Sequence, residues 1–288
     1  KVTVPFLSDR NLPCSRETHW LTQNISFGND PYSRATKYTT SPRSAWPAYM
    51  EIVNLLEELT VDSETKSSYS RSVATLIMSG LLAERNRSQV VLTRPKNLII
   101  AEVLALLDRH FSHKYLKNAP RLPQLALYAI YQCLITSVGR YKEFELKPLE
   151  RLKAADKKAG TVGDVVLSRN GINVEAAEVK LGVAINTETI ATAIDKIRGA
   201  SVERYYVLST SGVADADREA VSKLCFDFRK SNGCEIIVNG VEQTIGYYLR
   251  LLTSTGEFIE RYVELVGGDP DLDYQHREVW NDICAGDS

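Results

Sequence analysis

From Val165 onward, short apolar runs alternate with stretches of helical period, and this alternation most constrains the fold. Val165-Val166-Leu167 has strand length, and Asn170-Gly171 after it favours the left-handed angles of a two-residue hairpin turn. Ile172 to Val179 alternates apolar and polar residues and predicts the second hairpin strand. Thr187 to Arg198 predicts a helix, Arg204 to Ser209 a buried strand, and Ala214 to Lys230 a helix stopped by Asn232-Gly233. Cys234 to Val238 predicts a strand and Val241 to Leu252 a helix. Ahead of the hairpin, charged Pro148 to Lys157 predicts a further helix, broken by Gly160 and Gly163. Parallel strands need long crossovers, so helices between the later strands imply an α/β core around a mixed sheet.

The upstream half reads differently. Residues 1–45 are polar and carry Pro5, Pro13, Pro31 and Pro42, which predicts an extended arm. From Trp46 to Gly139 the period is helical. Tyr49, Ile52, Val53, Leu55, Leu56 and Leu59 recur at three- and four-residue steps, and Val73 to Leu82 repeats the pattern. Gln89 to Thr93 predicts a short strand, and two helices followed by a strand suggest a winged-helix-like unit. Leu98 to Phe111 predicts an amphipathic helix with Leu104, Leu107 and Phe111 on one side. Three regions are expected: an arm over 1–45, a helical region over 46–140, and an α/β core with an acidic C-terminal segment over 141–288.

The stretch Leu122 to Gly139 holds 18 uncharged residues. Pro123, Gln124, Gln132, Thr136 and Ser137 interrupt it, so it predicts a buried core helix rather than a membrane span. Lys1 to Leu7 is short and turns polar, unlike a secretory signal, and a cytoplasmic protein is expected. The five cysteines, Cys14, Cys133, Cys225, Cys234 and Cys284, include no Cys-x-x-Cys pair. A zinc ribbon and a thioredoxin-type site are therefore not expected, and small core positions in a reducing compartment are. His110-x-x-His113 has no acidic residue between its histidines, and two partly exposed helix residues are expected there. The Asp269, Asp271, Asp273 series fails calcium-loop spacing, since Tyr274 stands where a glycine belongs, and a solvated tail is expected. Walker A, Gly-x-Gly-x-x-Gly and Gly-x-Ser-x-Gly motifs do not occur.

Three residues carry candidate chemistry: Asp164 before the first hairpin strand, and Glu178 and Lys180 at the end of the second. Side chains two apart on a strand share a face, so Glu178 and Lys180 point together, Val179 points away, and Glu175 takes the face opposite Glu178. The hairpin folds Asp164 back beside Glu178. Adjacent carboxylates repel unless a cation lies between them, and hard oxygen ligands with open water positions suit Mg²⁺. Lys180 is then placed to hold or deprotonate a water, or to offset charge on a phosphorane. The implied reaction is in-line hydrolysis of a phosphodiester.

Gly163-Asp164, Glu178-Val179-Lys180 and the helix and strand after them resemble the pattern of PD-(D/E)xK nucleases. Arg121-Leu122-Pro123-Gln124-Leu125-Ala126-Leu127-Tyr128-Ala129-Ile130-Tyr131 before the core resembles SacI-type type II restriction endonucleases. So does Val202-Glu203-Arg204-Tyr205-Tyr206-Val207-Leu208-Ser209-Thr210 after it. The likeness covers roughly residues 90–250. Gly163 stands where the motif's name has proline. The resemblance implies a restriction-endonuclease-like core with Asp164 and Glu178 as Mg²⁺ ligands, Mn²⁺ as a substitute, and Lys180 as the catalytic lysine. It also implies double-stranded DNA as substrate and a homodimer on a two-fold site. Some members add an upstream helical glutamate, for which Glu150, Glu145, Glu143 and Glu102 are candidates. Glu150 is preferred because it lies on the predicted helix entering the hairpin. A structure-selective repair nuclease and an inactive DNA-binding module are the alternatives.

Charge adds a further expectation. The chain has 35 basic and 36 acidic residues, net −1, which on its own argues against a polyanion partner. The mean conceals segregation. Residues 85–121 hold eight basic residues against two acidic, a net +6. Residues 257–288 hold nine acidic against two basic, a net −7. The basic segment, with Arg85, Arg87, Arg94, Lys96, Arg109, Lys114, Lys117 and Arg121, is the expected DNA footprint. Arg34 and Lys37 in the hydroxyl-rich arm are further phosphate candidates. So are Lys157 and Lys158 in a second cluster with Lys147, Arg151 and Lys153, and, more weakly, Lys196 and Arg198. For the pairs Tyr205-Tyr206 and Tyr247-Tyr248, one ring in the core and one outward is expected.

Overall fold

The computed structural model describes residues 61–113, 117–150 and 162–286, with residues 51, 54, 55 and 58 besides. By their contacts, residues 1–89 and 90–288 form two units. In the first unit, α1 (Ser63–Ser88) is capped by Asp62, whose side chain accepts from the Thr65 amide. Tyr69, Leu76 and Ile77 on it are exposed.

The second unit is built on a five-stranded mixed sheet in the order β1-β2-β3-β4-β5. Its strands are β1 (Glu145–Leu146), β2 (Val165–Arg169), β3 (Ile172–Lys180), β4 (Arg204–Ser209) and β5 (Glu235–Gly240). The first two pairings are antiparallel and the last two parallel. Asn170 (φ 54°) and Gly171 (φ 77°) make the left-handed turn between β2 and β3. The helices are α2 (Ile100–Ser112), α3 (Arg121–Ser137), α4 (Thr187–Ile197), α5 (Arg218–Asn232), α6 (Val241–Leu249), α7 (Thr255–Gly268) and α8 (Tyr274–Ala285). Pro123 falls in the first turn of α3, where no intrahelical N–H is needed. Asn186 caps α4 by accepting from the Thr189 amide at 2.9 Å. Gly233 (φ 87°) ends α5 in the left-handed conformation.

Both faces of the sheet are covered, as parallel strands require. One core gathers side chains of α2, α3, α6, α7 and α8 against Val165, Ala177, Val179, Tyr206 and Leu208. The other sets Ile190, Ile194 and Ile197 of α4 and Val221 and Phe228 of α5 against Val166, Ala176, Tyr205 and Val207. Tyr205 and Tyr206 are therefore both buried, on opposite faces, and the expectation of one outward ring fails because the sheet has no open face there. Tyr247 is exposed and Tyr248 buried, as expected. The uncharged stretch is the buried helix α3, and among the described residues no helix is long and apolar enough to cross a membrane.

Several sequence expectations are corrected. Gln89 to Thr93 forms no strand, because side chains of α8 take its backbone groups. Asn281 accepts from the Thr93 amide and donates to the Val91 carbonyl, and the Trp280 indole donates to the Thr93 carbonyl. The winged-helix-like unit is thereby absent. Residues 257–286 of the acidic tail are not a solvated segment but include most of α7 and all of α8, which pack on α3 and α2. His110 is fully buried, hydrogen-bonded to the Tyr262 hydroxyl (2.8 Å) and the His276 carbonyl (3.0 Å). Cys133 and Cys234 are buried.

Candidate active site

At the carboxyl end of β3 the hairpin brings Asp164, Glu178 and Lys180 together. The Asp164 amide donates to the Ala177 carbonyl at 2.8 Å, and its Oδ2 accepts from the Val179 amide at 2.8 Å. Asp164 is thus held at both its backbone and its side chain against β3. Gly163 permits this approach, since a Cβ there would meet the Ala177 carbonyl oxygen at 2.8 Å. Glu178 and Lys180 share a face as strand parity requires, and Lys180 Nζ lies 2.5 Å from Glu178 Oε1. Val179 is buried on the other side.

Two more side chains converge on Glu178. The Tyr205 hydroxyl donates to its Oε2 at 2.9 Å, and Lys196 Nζ in the last turn of α4 lies 3.1 Å from the same oxygen. From the sequence alone, one ring of the Tyr205-Tyr206 pair is expected in the core and Lys196 is only a weaker phosphate candidate. The only signals for them were the strand parity of Tyr205 and the position of Lys196 beside buried Ile194 and Ile197. Glu175 lies on the opposite face, fully buried, with Oε1 paired to Arg140 (3.0 Å) and Arg204 (3.2 Å).

The two carboxylates titrate differently. Burial, seconded by the Glu178 charge, holds the Asp164 carboxyl above its ordinary value against the Val179 amide and the two lysines. Burial also works to raise Glu178, but the Lys180 hydrogen bond, the charges of Lys196 and Lys180, and the Tyr205 hydroxyl bring it down to about 2. Burial and the Glu178 charge push the Tyr205 phenol up, so it donates as a neutral group.

The donor set fits a hard divalent cation. Among the described residues nothing donates to Asp164 Oδ1, and a nearby cation would act against the burial that raises the Asp164 carboxyl. The described residues hold no cluster of three or more His, Cys, Asp or Glu arranged for a metal. Asp164 and Glu178 are two carboxylates, the donor number with which Mg²⁺ keeps several waters.

The remaining site candidates separate into groups. Arg121 is not a surface cation. It is 4% exposed, with Nε 2.9 Å from Asp269 Oδ2 and Nη1 donating to Gln124 Oε1 and the Glu150 carbonyl. Its guanidinium is held inside the fold rather than presented to solvent. Arg94 pairs with Glu260 at 3.3 Å on the surface, Arg85 donates to Asn86, and Lys96 and Lys117 are exposed. Glu150 does not stand on a helix: Lys147 to Glu150 are irregular and its side chain is exposed. Glu102 caps α2 by accepting from the Ile99 amide. Arg34, Lys37, Lys114, Lys157, Lys158, Arg151 and Lys153 lie outside the described residues, as does the Arg87 side chain.

A groove of about 740 Å³ opens at the carboxyl end of β5, between α2 and α6, lined among others by Asn239, Gln243, Tyr247 and Arg250. Asn239 stands in register with Leu208 and Val179, two strands from the carboxylates and on the opposite face of the sheet from Glu178 and Lys180. Comparison with protein-family models and with curated proteins finds no match to this chain.

Proposed function

We propose that the protein is a Mg²⁺-dependent type II restriction endonuclease built on a PD-(D/E)xK core. The observation that carries the reading is the joining of Asp164, Glu178 and Lys180 at one end of adjacent strands, held by the Asp164–Val179 and Glu178–Lys180 hydrogen bonds. Ligand pockets at the carboxyl ends of parallel strands are a general feature of open α/β sheets. Asp164 and Glu178 would hold Mg²⁺, which when bound supplies Lewis acidity toward a phosphate oxygen and a more acidic water.

The chain's own residues do the rest. Glu178, ionised across the whole working range, is a fixed anionic ligand. Lys180 stands beside it with an ammonium that can orient a water and offset charge as the pentacoordinate phosphorus forms. Water oxygen bonds to phosphorus as the bond to one ester oxygen breaks; the attacking water gives up one proton to solvent, and the leaving oxygen takes one from solvent. A two-fold dimer would match a palindromic site.

Plasmid digestion with Mg²⁺, followed by sequencing of the ends, tests the reading. Fixed ends are expected, and Lys180→Ala should abolish cutting while DNA binding persists. No cleavage of any DNA with Mg²⁺ or Mn²⁺ would overturn it. Cutting of branched or nicked DNA alone would make the enzyme structure-selective instead.

A further inference from the structure

Lys196 sits on a different element from the motif residues, yet it reaches the same carboxylate as Lys180. Its Nζ lies 3.1 Å from Glu178 Oε2, its side chain is 38% exposed, and the Tyr205 hydroxyl donates to that oxygen at 2.9 Å. A carboxylate oxygen has two acceptor sites, so Lys196 and Tyr205 together fill Oε2. Lys180 takes one site on Oε1. Glu178 therefore presents a single open site, where a bare carboxylate would present four.

Charge points the same way. Asp164 and Glu178 carry two negative charges when ionised, and Lys180 and Lys196 carry two positive ones. The cluster is neutral before any dication arrives. A metal drawn to the two carboxylates must enter against two ammonium groups, both on partly exposed side chains. Tyr205 is locked by its buried ring, and Lys180, as exposed as Lys196, holds Glu178 by the shorter contact, 2.5 Å against 3.1 Å. Lys196 is the donor on Glu178 that can leave.

We propose that Lys196 is a displaceable counter-ion that competes with the metal for Glu178. This rests on the proposed function, since it takes Asp164 and Glu178 as the metal ligands. Lys196 acts through Glu178 and is a positioning residue. It keeps the carboxylate aimed and its charge balanced while the site is empty, and it yields Oε2 when the cation binds. Freed from Glu178, its ammonium is available to a phosphodiester anion at the same sheet end.

The test is Mn²⁺ binding by the full chain without DNA, read by electron paramagnetic resonance of the free ion. Lys196→Met keeps the aliphatic stem and removes the charge. It should bind Mn²⁺ roughly tenfold more tightly than wild type, the scale of one unit charge removed near a surface site. Lys196→Arg should stay within about twofold of wild type, because the competing charge remains. Unchanged or weaker Mn²⁺ binding in folded Lys196→Met would overturn the inference. If wild type binds Mn²⁺ and cuts DNA while Lys196→Met is unchanged, the inference falls alone. If wild type and Lys196→Met, both folded by circular dichroism, bind no Mn²⁺, the metal-dependent reading falls with it.

Discussion

Arg121 Nε and Asp269 Oδ2 lie 2.9 Å apart in a buried ion pair, with side chains 5% and 6% exposed. Arg121 belongs to the basic segment and Asp269 to the acidic one, so part of the charge segregation is settled inside the protein. The pair ties the start of α3 to the end of α7. Asp269 Oδ1 also accepts from the Asp271 amide, and Asn118 donates to the Asp271 carbonyl. Removing one member of a buried pair leaves the other charged and without its counter-charge. Arg121→Met should therefore destabilise the fold by about 3–5 kcal/mol, measured by urea unfolding. DNA affinity of the protein that remains folded should be unchanged, and a selective loss of DNA binding at full stability would contradict the assignment.

His110 gives the fold a pH dependence. Burial holds its pKa near 4 against an ordinary 6.5, so the ring is neutral in the folded state. Between those values the unfolded chain binds a proton that the folded chain refuses. Stability is full above pH 6.5 and is lost as pH falls toward 4. The expected loss from pH 7 to pH 5 is roughly 2 kcal/mol. Urea unfolding of wild type and His110→Gln at the two pH values isolates it. The variant should lose less stability over this range by about that amount, and equal losses would show that other groups carry the effect.

Which parts were legible in the sequence follows from distance along the chain. The hairpin could be read because Asn170-Gly171 specifies its own turn. The shared face of Glu178 and Lys180 could be read because parity is local. Tyr205 could not, because it reaches Glu178 only after the crossover helix returns the chain and sets β4 parallel to β3 in one register, Glu178 opposite Val207, and Lys196 could not, because it reaches Glu178 only once its helix is packed on the sheet. Counting charge in windows likewise missed a partner 148 residues away. The extended segment 91–93 looked like a strand because its composition is right, but Asn281 and Trp280 replaced the sheet neighbour it would have needed.

Gly163 is the backbone position on which the site turns. A Cβ there meets a carbonyl oxygen of β3, which cannot swing aside as a side chain would. Gly163→Ala should displace Asp164 from the Ala177 carbonyl and the Val179 amide. A stability loss of about 1–3 kcal/mol is expected. Single-turnover cleavage should fall more steeply than DNA binding. Wild-type cleavage in this variant would mean that the close approach is not required.

Tyr205→Phe isolates one hydrogen bond at the site. The ring stays in the core and only the hydroxyl on Glu178 Oε2 is lost. A hydrogen bond to a charged group contributes about 1.5–3 kcal/mol, so the fold should weaken by an amount near the lower end, because Lys196 still donates to the same oxygen. If the hydroxyl also aims Glu178 in the reacting complex, a loss of about 1.4 kcal/mol there lowers the single-turnover rate about tenfold. DNA affinity without metal should not change, since the phenol is buried away from solvent. Stopped-flow cleavage beside a DNA-binding titration makes the comparison. A rate equal to wild type would reduce Tyr205 to a packing residue, whereas a parallel loss of rate and DNA affinity would place it in the substrate path.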